Sequence, residues 1–208
     1  MLVLQSGSTM LEKLRSALGV NRSMVSARSG ANGHREQKLH LGSGSIRLEG
    51  WLNIDIDAPQ ADLKLDLRNP LPCADNSVRF VFSDHFIEHI TRPEAVRLLR
   101  ECWRVLVPGG VLRLSTPSLQ WIVAKYLERN LTEWGDLWRP ATPCQMMNEG
   151  LRSWGHQFVY DADELRDVLA EAGFAAVEWA GWRQSRHPEL NDLEQRPYHQ
   201  ELIAEATK

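Results

Sequence analysis

Asp84-His85-Phe86-Ile87-Glu88-His89-Ile90 concentrates more reactive side chains than any other run in the chain. If the backbone turns helical after Asp84, His85, Glu88 and His89 share one face at i, i+3 and i+4. Two imidazoles and a carboxylate can hold a divalent cation or supply a general base, since neutral histidine titrates near pH 7. A hard cation prefers oxygen ligands, so no metal is assigned. His85, nearest the end of the preceding apolar run, takes the base role. His89 and a later histidine, His156, are the other catalytic candidates, and Glu88 and His89 can equally serve to tie the segment to neighbouring loops.

A second constellation lies upstream. Lys38-Leu-His-Leu-Gly-Ser-Gly-Ser-Ile-Arg-Leu-Glu-Gly-Trp-Leu-Asn-Ile-Asp-Ile-Asp57 runs from an apolar segment through two glycines to an acid. Gly42, Ser43 and Gly44 let a backbone approach a ligand closely and offer amide donors. Asp55 is placed to accept from ribose hydroxyls, with Asp57 the alternative on the same side of an alternating strand. Asp66 and Leu67 follow the next apolar run, where they suit the edge and face of an adenine. Ser83 closes the one after that. Gly44 and Asp55 are 11 residues apart, too few for the helix that ordinarily fills the 20-residue gap of a dinucleotide fingerprint. The first crossover is therefore a loop. Without a helix N-terminus to attract an anionic group, Arg47 is the candidate substitute, ahead of His40. Trp51, opening an apolar run, reads as core.

These residues need elements to hold them. Leu39–Leu41, Leu52–Ile56, Leu63–Leu67, Val78–Phe82 and Val111–Ser115 are short apolar runs bounded by Gly, Pro, Asp or Asn, as buried parallel strands tend to be. Thr91 to Glu94 forms a capping box for a helix carrying Ala95, Leu98, Leu99, Cys102 and Leu106, ending at Pro108-Gly109-Gly110. Asp161 caps a second helix that stops at Gly173, and Ala176–Ala180 and Glu201–Ala206 read as closing strands. The alternation predicts an α/β fold, a doubly wound, mostly parallel seven-stranded sheet. Residues 118–158, rich in tryptophan, form a helical insertion on the substrate side. His156 and Asn148 within it can orient a polar group, and His187 and Glu194 lie where they could reach toward the same ligand. Residues 1–37 read as an arm, with Leu11, Leu14 and Leu18 on a short helix and a polar connector behind it, suited to packing on the domain or on a second copy; residues 38–208 form the domain proper.

Composition narrows the classes. The 208 residues carry a net charge of −3 and 43% apolar residues, enough for one sizeable core and no bulk attraction for nucleic acid or anionic lipid. Three dispersed cysteines form neither a disulfide framework nor a zinc knuckle. No apolar run approaches the length of a membrane span. The expectation is a cytoplasmic protein acting on a small molecule, with homodimer formation open.

The blocks Leu39–Ile56, Asp66–Ile90 and Arg100–Ser118, the last containing Arg-Val-Leu-Val-Pro-Gly-Gly, resemble class I S-adenosylmethionine-dependent methyltransferases of the group called type 11. The resemblance extends from about Leu39 to Lys208. It implies a Rossmann-like fold and S-adenosyl-L-methionine as cofactor, with Gly42 and Gly44 along its methionine part, Asp55 on the ribose, Asp66 and Leu67 on the adenine, and Ser83 near the sulfonium. The implied reaction moves a methyl group to an O or N nucleophile of a sugar or secondary metabolite. Two rivals share the residue pattern: a nicotinamide-dependent oxidoreductase, disfavoured by the short gap and the absent third glycine, and a cofactor-binding partner protein without transfer activity.

Overall fold

The computed structural model describes residues 37–196 and 200–208. The helix expected around Leu11, Leu14 and Leu18, and the connector after it, lie outside the described residues.

Seven strands form one sheet in the order β3-β2-β1-β4-β5-β7-β6. They are β1 (Gln37–Leu41), β2 (Leu52–Asp55), β3 (Leu63–Lys64), β4 (Val78–Asp84), β5 (Leu106–Thr116), β6 (Ala176–Trp179) and β7 (Leu202–Thr207). The first five pair parallel, and β7 runs antiparallel to both β5 and β6. Strand order reverses between β1 and β4, so the carboxyl ends of these two strands diverge into the crevice where ligands bind in open α/β sheets. Gln37 already belongs to β1, and β3 stops short of Asp66, which stands beyond the strand end.

Helix α1 (Arg92–Val105) begins where the sequence places it: Glu94 reaches back to accept from the Thr91 amide at 2.9 Å. It ends at Val105, before the Pro108-Gly109-Gly110 run, because Leu106 passes directly into β5. Helices α2 (Leu119–Glu128) and α3 (Pro143–Arg152) follow β5, and α4 (Ala162–Ala172) is capped by Asp161 and stopped at Gly173 with φ +112°. Helices α1 and α4 bury Leu98, Leu99, Leu165 and Leu169 against Leu39, Val81 and Leu112 of the sheet. The opposite face carries a smaller cluster of Trp51, Phe80, Phe82, Val111, Leu190 and Leu193. Trp51 is thus core, edge-on to Phe82 at 6.3 Å.

That second face also holds a buried ion cluster. Arg113 is fully buried and donates to Glu194 and Glu205, each at 2.7 Å, and to the carbonyls of Gln184 and Gly181. Glu194 is therefore committed to the sheet, not to a ligand, and His187 rests against Phe80 on the same face.

Ten residues, Gly42 to Trp51, join β1 to β2 without a helix. Asn53, fully buried in β2, does the organising. Its Oδ1 accepts from the Leu48 amide at 2.9 Å and lies 3.0 Å from His40 Nδ1, while its Nδ2 is within reach of Leu48 O, Trp51 O and Asp62 Oδ2. Arg47 pins the next loop by contacting Asp62 at 2.8 Å and donating to the Gln60 carbonyl. A crossover normally hydrogen-bonded within a helix is here bonded to one side chain. Removing it strands several buried groups at about 1–3 kcal/mol each. Asn53→Ala is expected to lower unfolding free energy by about 3 kcal/mol or more in urea titration, well above the ~1 kcal/mol of an average substitution.

Candidate active site

The crossover loop and β2 meet at one bond. The Gly44 amide donates to Asp55 Oδ2 at 2.8 Å, and the amides of Asp57 and Ala58 donate to Oδ1 at 3.2 and 3.1 Å. Burial works against the Asp55 charge, but these backbone donors outweigh it and hold the carboxyl below its ordinary value. The Ile56 amide adds a fourth backbone donor, so the Asp55 carboxylate is held by backbone amides on the wall of the space beside it. Beside Asp55 opens a cavity of about 410 Å³ whose walls include Gly42, Asp66, Leu67, Phe86 and Thr91. Gly42, Asp55, Asp66 and Leu67 thus converge on one space at the ends of β1, β2 and β3.

The remaining candidates divide. Strand β2 ends at Asp55, so the alternation that kept Asp57 in contention stops two residues short; Asp57 is exposed and does not line the cavity. Asp66 does line it, with its carboxylate chelated by Arg68 at 2.6–3.0 Å. Ser43 is buried behind the turn, its amide bonded to Ile54 O and its Oγ without a hydrogen-bond partner. Ser83 is buried in the β1–β4 seam, donating to Leu41 O at 3.3 Å, and lines neither cavity described here. Arg47 and His40 are withdrawn as partners for an anionic group: Arg47 is spent on Asp62 and Gln60, and His40 is buried against Asn53.

The segment after β4 is not an α-helix. His85 has φ +52°, and Ile87–His89 form one 3-10 turn. The αL backbone of His85 swings its ring away from the expected face and wedges it between two acids. Nδ1 lies 3.2 Å from Glu88 Oε1, and Nε2 lies 3.4 Å from Glu201 Oε1. Burial opposes a charge there, but Glu201 and Glu88 outweigh it and raise the imidazole to about 9. With both nitrogens paired to acids and its proton affinity raised, His85 is disfavoured as the general base. Glu88 is fully buried and accepts from Thr116 Oγ1 at 3.1 Å.

His89 and His156 face a second cavity of about 520 Å³. Its walls include Trp121, Trp134, Trp138 and Trp154, four of the tryptophans singled out in the sequence. Rings contact one another in series: Trp134–Trp138 at 4.4 Å, Trp138–Trp154 at 5.3 Å, Trp154–His156 at 5.6 Å, His156–His89 at 5.2 Å. Asn148 turns outward to its own helix, donating to Cys144 O, and takes no part. Glu201 and Arg196 also line the cavity, beside His85. Sequence reading missed both because a late strand and a polar loop give no motif; likewise nothing signalled that Phe86 and Thr91 would wall the first cavity. Burial lowers the His89 imidazole, the first cause among several. Among the described residues, His89 alone lines both cavities.

Both turn glycines adopt positive φ, +64° at Gly42 and +51° at Gly44, but their surroundings differ. A Cβ on Gly42 would lie 2.5 Å from the Phe86 ring, whereas one on Gly44 would meet nothing within 4 Å. Gly44→Ala should cost only the backbone term, about 1–2 kcal/mol. Gly42→Ala should cost clearly more in the same denaturant titration, because Phe86 must also move.

Residues 50–114 match the family model "Methyltransferase domain". A "Probable S-adenosylmethionine-dependent methyltransferase" of Mycobacterium tuberculosis, found in two strains, is 31% identical over 126 residues, or 61% of this chain. The chain spans about a third of that relative's length, 36%. Among solved structures, a Thermotoga maritima S-adenosylmethionine-dependent methyltransferase aligns over 90% of this chain and 87% of its own, with TM-score 0.52 and 16% identity. One from Mesorhizobium loti aligns over 92% of this chain and all of its own, with TM-score 0.51 and 17% identity. At such identities these structures establish the shared fold. In fold, then, the chain is like these class I S-adenosylmethionine-dependent methyltransferases, and its residues 50–114 are similar to a methyltransferase domain.

Proposed function

We propose that the chain transfers a methyl group from S-adenosylmethionine to an oxygen or nitrogen of a small, ring-bearing molecule. The observation that carries this reading is the position of His89, which joins the Asp55 cavity to the tryptophan-lined one. Two adjoining compartments with one shared residue suit a donor and an acceptor brought end to end.

The first cavity fits an adenosyl group. Asp55 sets a charged carboxylate on the wall, suited to ribose hydroxyls, Leu67 gives an apolar wall beside Asp66, and Gly42 brings the backbone close to the ligand. Bound there, the cofactor supplies a methyl group on a sulfonium, an electrophile that needs little further activation. What remains for the protein is alignment, which supplies much of the rate in such a reaction. The tryptophan faces suit a planar or sugar ring, and their apolar bulk keeps water from the junction. His85, held between Glu88 and Glu201, braces the floor.

Calorimetric titration with S-adenosylhomocysteine tests the donor half. Asp55→Ala is expected to weaken binding by about tenfold to a hundredfold, the loss of a charge-assisted hydrogen bond. Arg47→Ala should leave affinity unchanged, and NADH should not bind. A panel of hydroxylated and amine-bearing ring compounds, screened for S-adenosylhomocysteine release, tests the acceptor half. His89→Ala should cut that release by about tenfold or more, beyond any loss in cofactor affinity. Cofactor binding with no release for any acceptor would instead mark a binding protein without transfer activity.

A further inference from the structure

The two histidines at the junction share a third neighbour. Glu88, His89 and His156 each offer one ligand atom, and those atoms lie within 4.8 Å of one another. We propose that these three residues form a site for one divalent first-row transition-metal ion, opening toward the tryptophan-lined cavity.

Three observations carry this. First, both imidazoles are oriented through a backbone contact. His156 Nδ1 is 2.9 Å from the Gly150 carbonyl, and His89 makes a backbone hydrogen bond to Gly155. His89 Nε2 is the nitrogen nearest Glu88 Oε1, at 3.9 Å. A ring that donates one N–H to a carbonyl presents a fixed lone pair from its other nitrogen, the arrangement typical of metal-ligating histidine. Second, Glu88 is fully buried, and its Oε1 lies between the His85 ring at 3.2 Å and His89 Nε2 at 3.9 Å. A buried carboxylate persists where positive partners converge on it, and a cation beside His89 would add to them. Third, the donor set of two nitrogens and one oxygen suits zinc, cobalt, nickel or iron(II), and not magnesium or calcium.

Helical periodicity pointed to His85, Glu88 and His89. The αL turn at His85 removes that ring from the set, and chain folding brings His156 in its place. Tetrahedral ligands about 2.0–2.2 Å from one ion lie about 3.3–3.6 Å apart, so the widest pair closes by up to about 1.3 Å on binding. His85 and Arg196 bring positive charge nearby, and Asp84, Glu88 and Glu201 exceed it with negative charge. Because His89 and His156 line the cavity, the remaining coordination positions face the acceptor space. Resting on the transferase reading, the ion would hold the acceptor's hydroxyl or amine at the junction and favour loss of its proton to solvent.

Cobalt(II) added to the untagged, chelator-treated 208-residue chain, followed by visible absorption, tests binding without an activity assay. The expected result is a saturable ligand-field spectrum at one equivalent, displaced by zinc and not by magnesium. His156→Ala and His89→Ala, both at the cavity wall, should weaken cobalt affinity by about a hundredfold or more, at least the upper range for losing a supporting group. Glu88→Gln should act likewise, with the histidine variants deciding if it does not fold. Absence of saturable cobalt binding, or affinity unmoved by both histidine variants, overturns the site. Metal binding in a chain that ignores S-adenosylhomocysteine would keep this inference and remove the transferase reading. Chelator-insensitive transfer with no metal bound would do the reverse.

Discussion

The contact between the Gly44 amide and Asp55 fixes the geometry on which the rest of the site depends. It closes the glycine turn onto the tip of the neighbouring strand and aims the carboxylate across the cavity. A helix would have fixed these two points through its own ladder of hydrogen bonds. Here Asn53 substitutes, gathering loop carbonyls, a loop amide and Asp62 around one buried amide side chain. Local order in the turn is therefore borrowed from β2, and the two cannot loosen independently.

Charge is arranged with similar economy on the acceptor side. His85 stands between Glu88 and Glu201, so the one imidazole with a strongly raised proton affinity serves as a brace. His89 and His156, which line the same cavity as His85, are oriented by backbone carbonyls. This separation lets a cluster of three histidines hold structure with one member and present lone pairs with the other two. The tryptophans supply apolar surface on the same cavity, and the polar groups on it are these imidazoles with Glu201 and Arg196.

Much of the sheet was legible because buried parallel strands are short apolar runs and their boundaries carry Gly, Pro or Asp. The capping residues Thr91 and Asp161 and the stop at Gly173 were equally plain, each being a local device with a local signature. The missing first helix followed from counting residues between Gly44 and Asp55. Legibility failed wherever a long-range partner decided the outcome. Arg47 looked free because Asp62 is 15 residues away and belongs to another loop. His85 looked like a base because helical periodicity ignores a single αL residue. Glu194 looked available because nothing local reveals Arg113 beneath it. Asn53, the hub of the crossover, carried no sign beyond being a polar residue within an apolar strand.

The Arg113 cluster has a bearing on how the chain acquires its shape. Arg113 lies in the middle of the sheet, yet the carboxylates that neutralise it arrive 81 and 92 residues later. During synthesis from the amino end, the central strands emerge with an uncompensated guanidinium and an apolar second face. Contacts of such long sequence separation form slowly, and the exposed surface invites aggregation until they do. Strand β7 thus does more than join β6 to the sheet: it brings Glu205 to Arg113 and completes the buried ion cluster.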